Sequence, residues 1–234
     1  MFQFKQFSIE QDKTAMKVGT DGVLLGAWAP LTNHPYAVLD IGAGTGLISL
    51  MLAQRSHAEQ LDALEIDDDA YEQAVDNFEN SPWADRLFCY HAGLDEFMEE
   101  PEDEYDLIVS NPPFYTEDYT SGNDKRDTAR FAASLPFEDL AEAAGLLLSE
   151  KGVFAIILPF KEEANFIALM QAEGLMPFKI TRVKGSPDTD LKRSLMAFSY
   201  TEQEVEIDEL VIETARHEYT AEYIELTKDF YLKM

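Results

Sequence analysis

Apolar residues in this chain gather into short continuous runs, separated by stretches in which they recur every three or four positions. Ala37-Val-Leu-Asp-Ile41, Gln60–Glu65, Leu87–His91, Tyr105–Ser110 and Gly152–Leu158 predict strands buried on both faces, as in a parallel sheet. Between them Leu47–Arg55, Asp68–Asn80, Phe137–Leu148 and Lys161–Glu173 carry helical spacing. Met176–Lys184 and Lys192–Tyr200 flank Gly185-Ser-Pro187 and predict a hairpin. Residues 2–18 alternate weakly through Phe2, Phe4, Phe7 and Ile9, which predicts a short strand or hairpin at the edge. Thr20 or Asp21 is placed to cap a short apolar helix over Gly22–Trp28, which Pro30 follows. The tail ends in a predicted helix, Thr220–Leu232. Strands alternating with helices make the fold class α/β: a doubly wound, mostly parallel seven-stranded sheet with helices on both faces, a C-terminal hairpin and a short terminal helix. We expect one domain over 1–234, divided into an N-terminal strand/helix extension (1–30), a core (31–200) and an acidic C-terminal extension (201–234).

Composition narrows the function classes. A single cysteine, Cys89, excludes an intramolecular disulfide framework and fits a reducing, cytoplasmic setting. It lies in the apolar run Leu87-Phe-Cys-Tyr90, which favours a packed thiol over a nucleophile. Four scattered histidines make a structural metal site improbable. The first residues lack a basic segment followed by a long apolar stretch, so no secretory signal is expected. No run approaches the roughly 18 apolar residues of a membrane span. The net charge of −27 argues against a generic nucleic-acid binder.

Two local patterns carry candidate chemistry. Asp40-Ile-Gly-Ala-Gly-Thr-Gly46 is a glycine-rich turn from strand to helix, where a ligand can approach the backbone. The spacing is not that of the dinucleotide fingerprint, and Asp40 would repel a pyrophosphate while attracting an ammonium or sulfonium. Glu65 closes the second strand, where it is placed to hold ribose hydroxyls. The second pattern is Ser110-Asn111-Pro112-Pro113-Phe114. Consecutive prolines cannot donate to a ladder, so the strand stops there. What remains at its C-terminal end is an amide, carbonyls and an aromatic ring. Asn111 and the Pro112 carbonyl suit the hydrogens of an exocyclic amine, and Phe114 suits stacking on the flat base that bears it.

Together, Asp40–Gly46, Glu65 and Asn111–Phe114 resemble the class I S-adenosylmethionine-dependent methyltransferases, in the branch whose Asn-Pro-Pro-aromatic motif methylates planar amines. Phe4-Lys-Gln-Phe7, Ala15–Trp28, Ser81-Pro-Trp83 and Phe230-Tyr-Leu232 narrow the resemblance to the bacterial tRNA adenine-N6 methyltransferases of valine tRNA. That resemblance implies a Rossmann-like sheet, S-adenosylmethionine as cofactor, and methylation of the N6 amine of the adenine 3′ of the anticodon. It implies cofactor contacts from Lys17, Thr20, Asp40, Gly42, Gly44, Gly46, Glu65, Ile66, Leu94 and Asn111, with Asn111, Pro112 and Phe114 at the transferred methyl group. The class often carries an acid just after strand three to meet the cofactor's adenine amine; here Leu94 holds that position, ahead of Asp95. The expected partner is tRNA, with no membrane, metal or protein partner.

Charge placement bears on that partner. Eleven of the 18 cations fall in residues 1–17, 125–130 and 179–193, which also hold five acids, so these stretches carry +6 and the rest of the chain −33. Tyr115 and the loop bearing Lys125, Arg126 and Arg130 are expected to close over the base and meet phosphates, as are Lys184, Lys192 and Arg193 around the hairpin turn. The competing function is a protein glutamine N5-methyltransferase, or another RNA or DNA amino-methyltransferase, since a glutamine amide shares the geometry of the adenine amine.

Overall fold

The computed structural model describes residues 1–14, 17–99, 104–113 and 135–233. In chain order the elements are β1 (Phe2–Gln3), β2 (Ser8–Ile9), α1 (Thr20–Trp28), β3 (Ala37–Ile41), α2 (Leu47–Arg55), β4 (Gln60–Glu65), α3 (Asp68–Glu79), β5 (Leu87–His91), α4 (Leu94–Glu99) and β6 (Tyr105–Ser110). They continue with α5 (Phe137–Leu147), β7 (Leu148–Pro159), α6 (Glu163–Ala172), β8 (Met176–Lys184), β9 (Leu191–Ser199), β10 (Glu206–Val211), β11 (Glu213–Ala215), β12 (Glu218–Tyr219) and α7 (Ala221–Thr227).

The main sheet runs β10–β8–β9–β7–β6–β3–β4–β5. Only β9 is antiparallel to its neighbours, because the short turn after β8 returns the chain at once. β3 is the point where the strand order reverses: β4 and β5 follow on one side, β6 and β7 on the other. Ile41 pairs with Leu64 on one flank and Ser110 on the other, so the ends of β3, β4 and β6 stand level. The crevice outside such a reversal is where open α/β sheets hold ligands.

Alternation along the buried strands builds two cores. Val38, Leu61 and Leu107 face one layer with α1 and α2, whereas Leu39, Leu64 and Ile108 face the other with α5 and α6. A Cβ at Gly26 would lie 2.7 Å from Met51 Sδ, so a glycine is what lets α1 press onto α2. The chain ends meet on the first layer: the Lys5 amide donates to the Phe230 carbonyl at 2.8 Å, and Phe4 bridges Tyr231.

Three expectations change. The sheet has eight strands where seven were predicted, because the acidic tail supplies β10 as a parallel neighbour of β8. The tail helix is shorter than Thr220–Leu232; Thr220 caps it by accepting from the Tyr223 amide at 3.2 Å. Finally, neither Thr20 nor Asp21 caps α1: the N-cap is Gly19, Thr20 is already helical, and no side chain caps the first turn.

Candidate active site

The turn after β3 is shaped by glycines at φ +75° (Gly42), +59° (Gly44) and +76° (Gly46), where a side chain would be strained. The amides of Gly42 and Ala43 donate to the Leu64 carbonyl at 3.0 and 2.9 Å, anchoring the turn to β4. A Cβ at Gly42 or Gly44 would meet nothing within 4 Å, so this is open space. Gly46 is different: a Cβ there would strike the Phe78 ring at 2.4 Å, which lets α2 begin against α3.

Two carboxylates stand beside the turn. Asp40 is buried; its Oδ2 accepts from the Ser49 amide at 3.1 Å and the Ser49 hydroxyl at 2.6 Å, while its buried Oδ1 has no partner. Burial pushes its pKa up to about 6; the Ser49 bonds oppose that rise and the nearby Glu65 charge adds to it. Glu65 bridges the loops: Oε2 accepts from the Gly44 amide at 2.7 Å and Oε1 from the Asp67 amide at 2.9 Å. One lone pair on each oxygen is left for a further donor. This is the geometry a vicinal diol needs, and the orphaned Asp40 oxygen suits a cation. The residues therefore fit S-adenosylmethionine.

Beyond Glu65, Ile66 is half exposed, with its side chain 3.5 Å from where a Gly93 Cβ would stand. The Leu94 side chain, expected near the adenine, is buried in the second core. The acid that folds back over Gly93 is Asp95, whose Oδ1 lies 2.5 Å from the same Cβ position. His91 steadies this side: its Nε2 lies 3.0 Å from Asp68 Oδ1 and 3.2 Å from the Ile66 carbonyl, and its ring stacks on Tyr71 at 4.9 Å. The Cys89 thiol is pushed up to about 12, first by burial and then by the Glu65 and Asp40 charges, so it remains protonated near neutral pH.

Across the crevice, Ser110 donates its hydroxyl to the Ile41 carbonyl at 2.9 Å and ties the end of β6 to β3. Asn111 is half-buried and Pro112 buried. A Cβ at Gly22 would lie 3.8 Å from Asn111 Nδ2 and 3.1 Å from Leu47, so α1 backs the amide. Lys17 and Thr20 are exposed at the entry to α1. The preceding segment is pinned to α3 by amides the sequence reading did not single out. Gln73 Oε1 accepts from the Asp12 and Lys13 amides, both at 3.1 Å, and Asn77 Nδ2 donates to the Glu10 and Thr45 carbonyls at 3.0 and 2.9 Å. Their four-residue spacing on one helix face was the available signal.

Phe114, Tyr115, Lys125, Arg126 and Arg130 lie outside the described residues. The hairpin cations are mostly engaged. Lys184 pairs with Glu209 at 3.0 Å and Arg193 with Asp21 at 2.8 Å. Arg182 grips Glu163 through two nitrogens, Lys179 sits over the Trp28 ring at 5.2 Å, and Lys192 is exposed. Among the described residues no group of three or more His, Cys, Asp or Glu could hold a metal ion, and no helix is long and apolar enough to cross a membrane.

Residues 23–135 match the methyltransferase small domain family. The chain is 72% identical to a tRNA1(Val) (adenine(37)-N6)-methyltransferase of Flavobacterium johnsoniae, over 100% of both chains. It is 43% identical to a protein of that name from Bacteroides fragilis, over 100% of this chain and 98% of the relative. Among solved structures it resembles one described as a predicted O-methyltransferase from Agrobacterium tumefaciens, at TM-score 0.67 and 20% identity, covering 90% of this chain and 96% of that one. That last likeness shows the Rossmann-like methyltransferase fold.

Proposed function

The chain belongs to the family of tRNA1(Val) (adenine(37)-N6)-methyltransferases, and on that premise we propose that it methylates the exocyclic N6 amine of the adenine 3′ of the anticodon in valine tRNA. S-adenosylmethionine, when bound, supplies a methyl group made electrophilic by its sulfonium. The juxtaposition at the strand reversal carries the proposal: a carboxylate pair with unused acceptors at the ends of β3 and β4, level with an Asn-Pro-Pro segment after β6.

The residues divide the work. Glu65 holds the ribose hydroxyls, Asp40 faces positive charge, and Gly42 and Gly44 leave the backbone open to the ligand, with Lys17 and Thr20 at the entry. Ile66 covers the adenine, and Asp95 rather than the Leu94 side chain accepts from its amine. An exocyclic aromatic amine is a poor nucleophile because its lone pair is delocalised. The Asn111 side-chain oxygen and the Pro112 carbonyl accept its two N–H bonds and aim the lone pair, while Phe114 stacks on the flipped base. The amine's proton leaves to water, so the reaction requires no histidine or cysteine. Tyr115, Lys125, Arg126, Arg130 and Lys192 meet the RNA around the base. A tRNA substrate puts the enzyme in the cytoplasm.

The test separates binding from chemistry. Asn111→Ala should bind S-adenosylmethionine with nearly the affinity of the unaltered protein, yet transfer methyl roughly 100-fold more slowly or worse in single turnovers at saturating tRNA. Near-normal transfer would remove Asn111 from the mechanism.

A further inference from the structure

We propose that the Asp21–Arg193 ion pair is a latch that holds the first turn of α1 against Asn111, making Asp21 a positioning residue for methyl transfer. The proposal rests on the methyltransferase reading of the Asn-Pro-Pro segment and adds a residue to it.

Arg193 pairs in register with Pro159 at the end of β7, which sets it at the same end of the sheet as Asn111. Its Nε donates to Asp21 Oδ2 at 2.8 Å and its Nη1 to the Lys192 carbonyl at 3.0 Å, so the guanidinium is fixed from two sides. The two side chains are 32% and 28% exposed, which shields the pair from solvent more than a rim contact would be. Asp21 stands in the first turn of α1, and its neighbour Gly22 is the buried surface facing the Asn111 amide.

The rest of α1 is held by other means. Gly26 packs on Met51, Arg55 donates to the Gly26 carbonyl at 2.8 Å, and the Trp28 indole donates to Thr181 at 2.8 Å. All of these act on its second half. The first turn has no side-chain cap, and the ion pair with Arg193 anchors it through Asp21. Loosening that pair should free the wall behind Asn111 while leaving the helix folded. An orienting amide that can swing loses rate before it loses affinity.

The same arginine could instead serve as a tRNA phosphate contact, and the two roles read out differently. Asp21→Asn, Arg193→Gln, Arg193→Lys and the exchange Asp21→Arg/Arg193→Asp would be compared in three assays. These are single-turnover transfer to valine tRNA, tRNA titration at several salt concentrations, and S-adenosylmethionine binding. The latch predicts that Asp21→Asn and Arg193→Gln each slow transfer roughly tenfold or more at saturation, with the log-affinity against log-salt slope unchanged. Arg193→Lys keeps more of the rate than Arg193→Gln, and the exchanged pair is faster than either neutralised variant. If the exchange does not fold, Arg193→Lys decides. The proposal is overturned if Arg193→Gln flattens the salt slope by about one while Asp21→Asn transfers at full rate. Absence of transfer by the unaltered protein would instead overturn the function; full transfer by every variant would overturn the latch alone.

Discussion

The two halves of the sheet treat their carboxylates in opposite ways. Beside β3 and β4, Asp40 keeps one buried oxygen without a partner, and Glu65 spends only one lone pair per oxygen on backbone amides. Beside β7, β8 and β9, Glu163 is closed: Arg182 grips it through two nitrogens and the Ser194 hydroxyl donates to it as well. Asp21 and Glu209 are likewise matched to Arg193 and Lys184. Acceptors left open in a crevice call for a ligand, whereas acceptors matched by the chain's own cations build a rigid wall. The first half is organised to bind, the second to hold shape.

The largest effect that would break this contrast is at Glu65. Glu65→Ala should weaken S-adenosylmethionine by on the order of 1–3 kcal/mol, a loss calorimetry would measure directly. Unchanged affinity would move the ribose contact elsewhere, with Asp67 next in line. A smaller loss is expected at Asp40, with a pH signature. Its folded pKa of about 6 stands above the ordinary carboxyl value of 3.8, so it contributes stability in full below pH 3.8 and loses it as pH rises through 6. At neutral pH the ionised group costs the ligand-free protein roughly 3 kcal/mol. Asp40→Asn should therefore melt higher than the unaltered protein at pH 8, a gain that disappears by pH 4. Cofactor affinity should fall as pH drops through 6 and stay flat in Asp40→Asn. A pH-independent affinity in the unaltered protein would mean that Asp40 faces no cation.

The smallest effect sharpens the other side. Lys192→Ala should reduce the slope of log tRNA affinity against log salt by about one, because this exposed cation is left for a phosphate. Lys184→Ala should leave the slope unchanged, since its ammonium is spent on Glu209. Equal slopes for the two variants would show that the ion pair opens for RNA.

This contrast also explains what could be read from the sequence. Asp40, the glycine turn, Glu65 and Asn111-Pro-Pro were legible because each is local: the residue type and its place at a strand end carry the chemistry together. The strands were legible for the same reason, except those of the tail: β11 and β12 are only three and two residues long, and in β10 Glu206, Asp208 and Glu209 mask the strand in charge while its parallel pairing with β8 settles the matter. The pairing of the hairpin cations was not legible because their partners are remote. Arg193 meets an aspartate 172 residues away, and Lys184 meets an acid from the tail, so these two cations of the hairpin pair with the chain's own acids once it folds. At the loop after β5, spacing alone does not show which way each side chain turns: Leu94 faces the core, and Asp95 turns back over Gly93.

The most direct test of the account is where the methyl group goes. Methyl-labelled S-adenosylmethionine would be supplied to the protein with unmodified valine tRNA and a glutamine-bearing release factor in one reaction, followed by nucleoside and peptide analysis. The account predicts label on the N6 amine of the adenine 3′ of the anticodon, and none on the protein. Label on a glutamine amide, or on any other tRNA position, would contradict it.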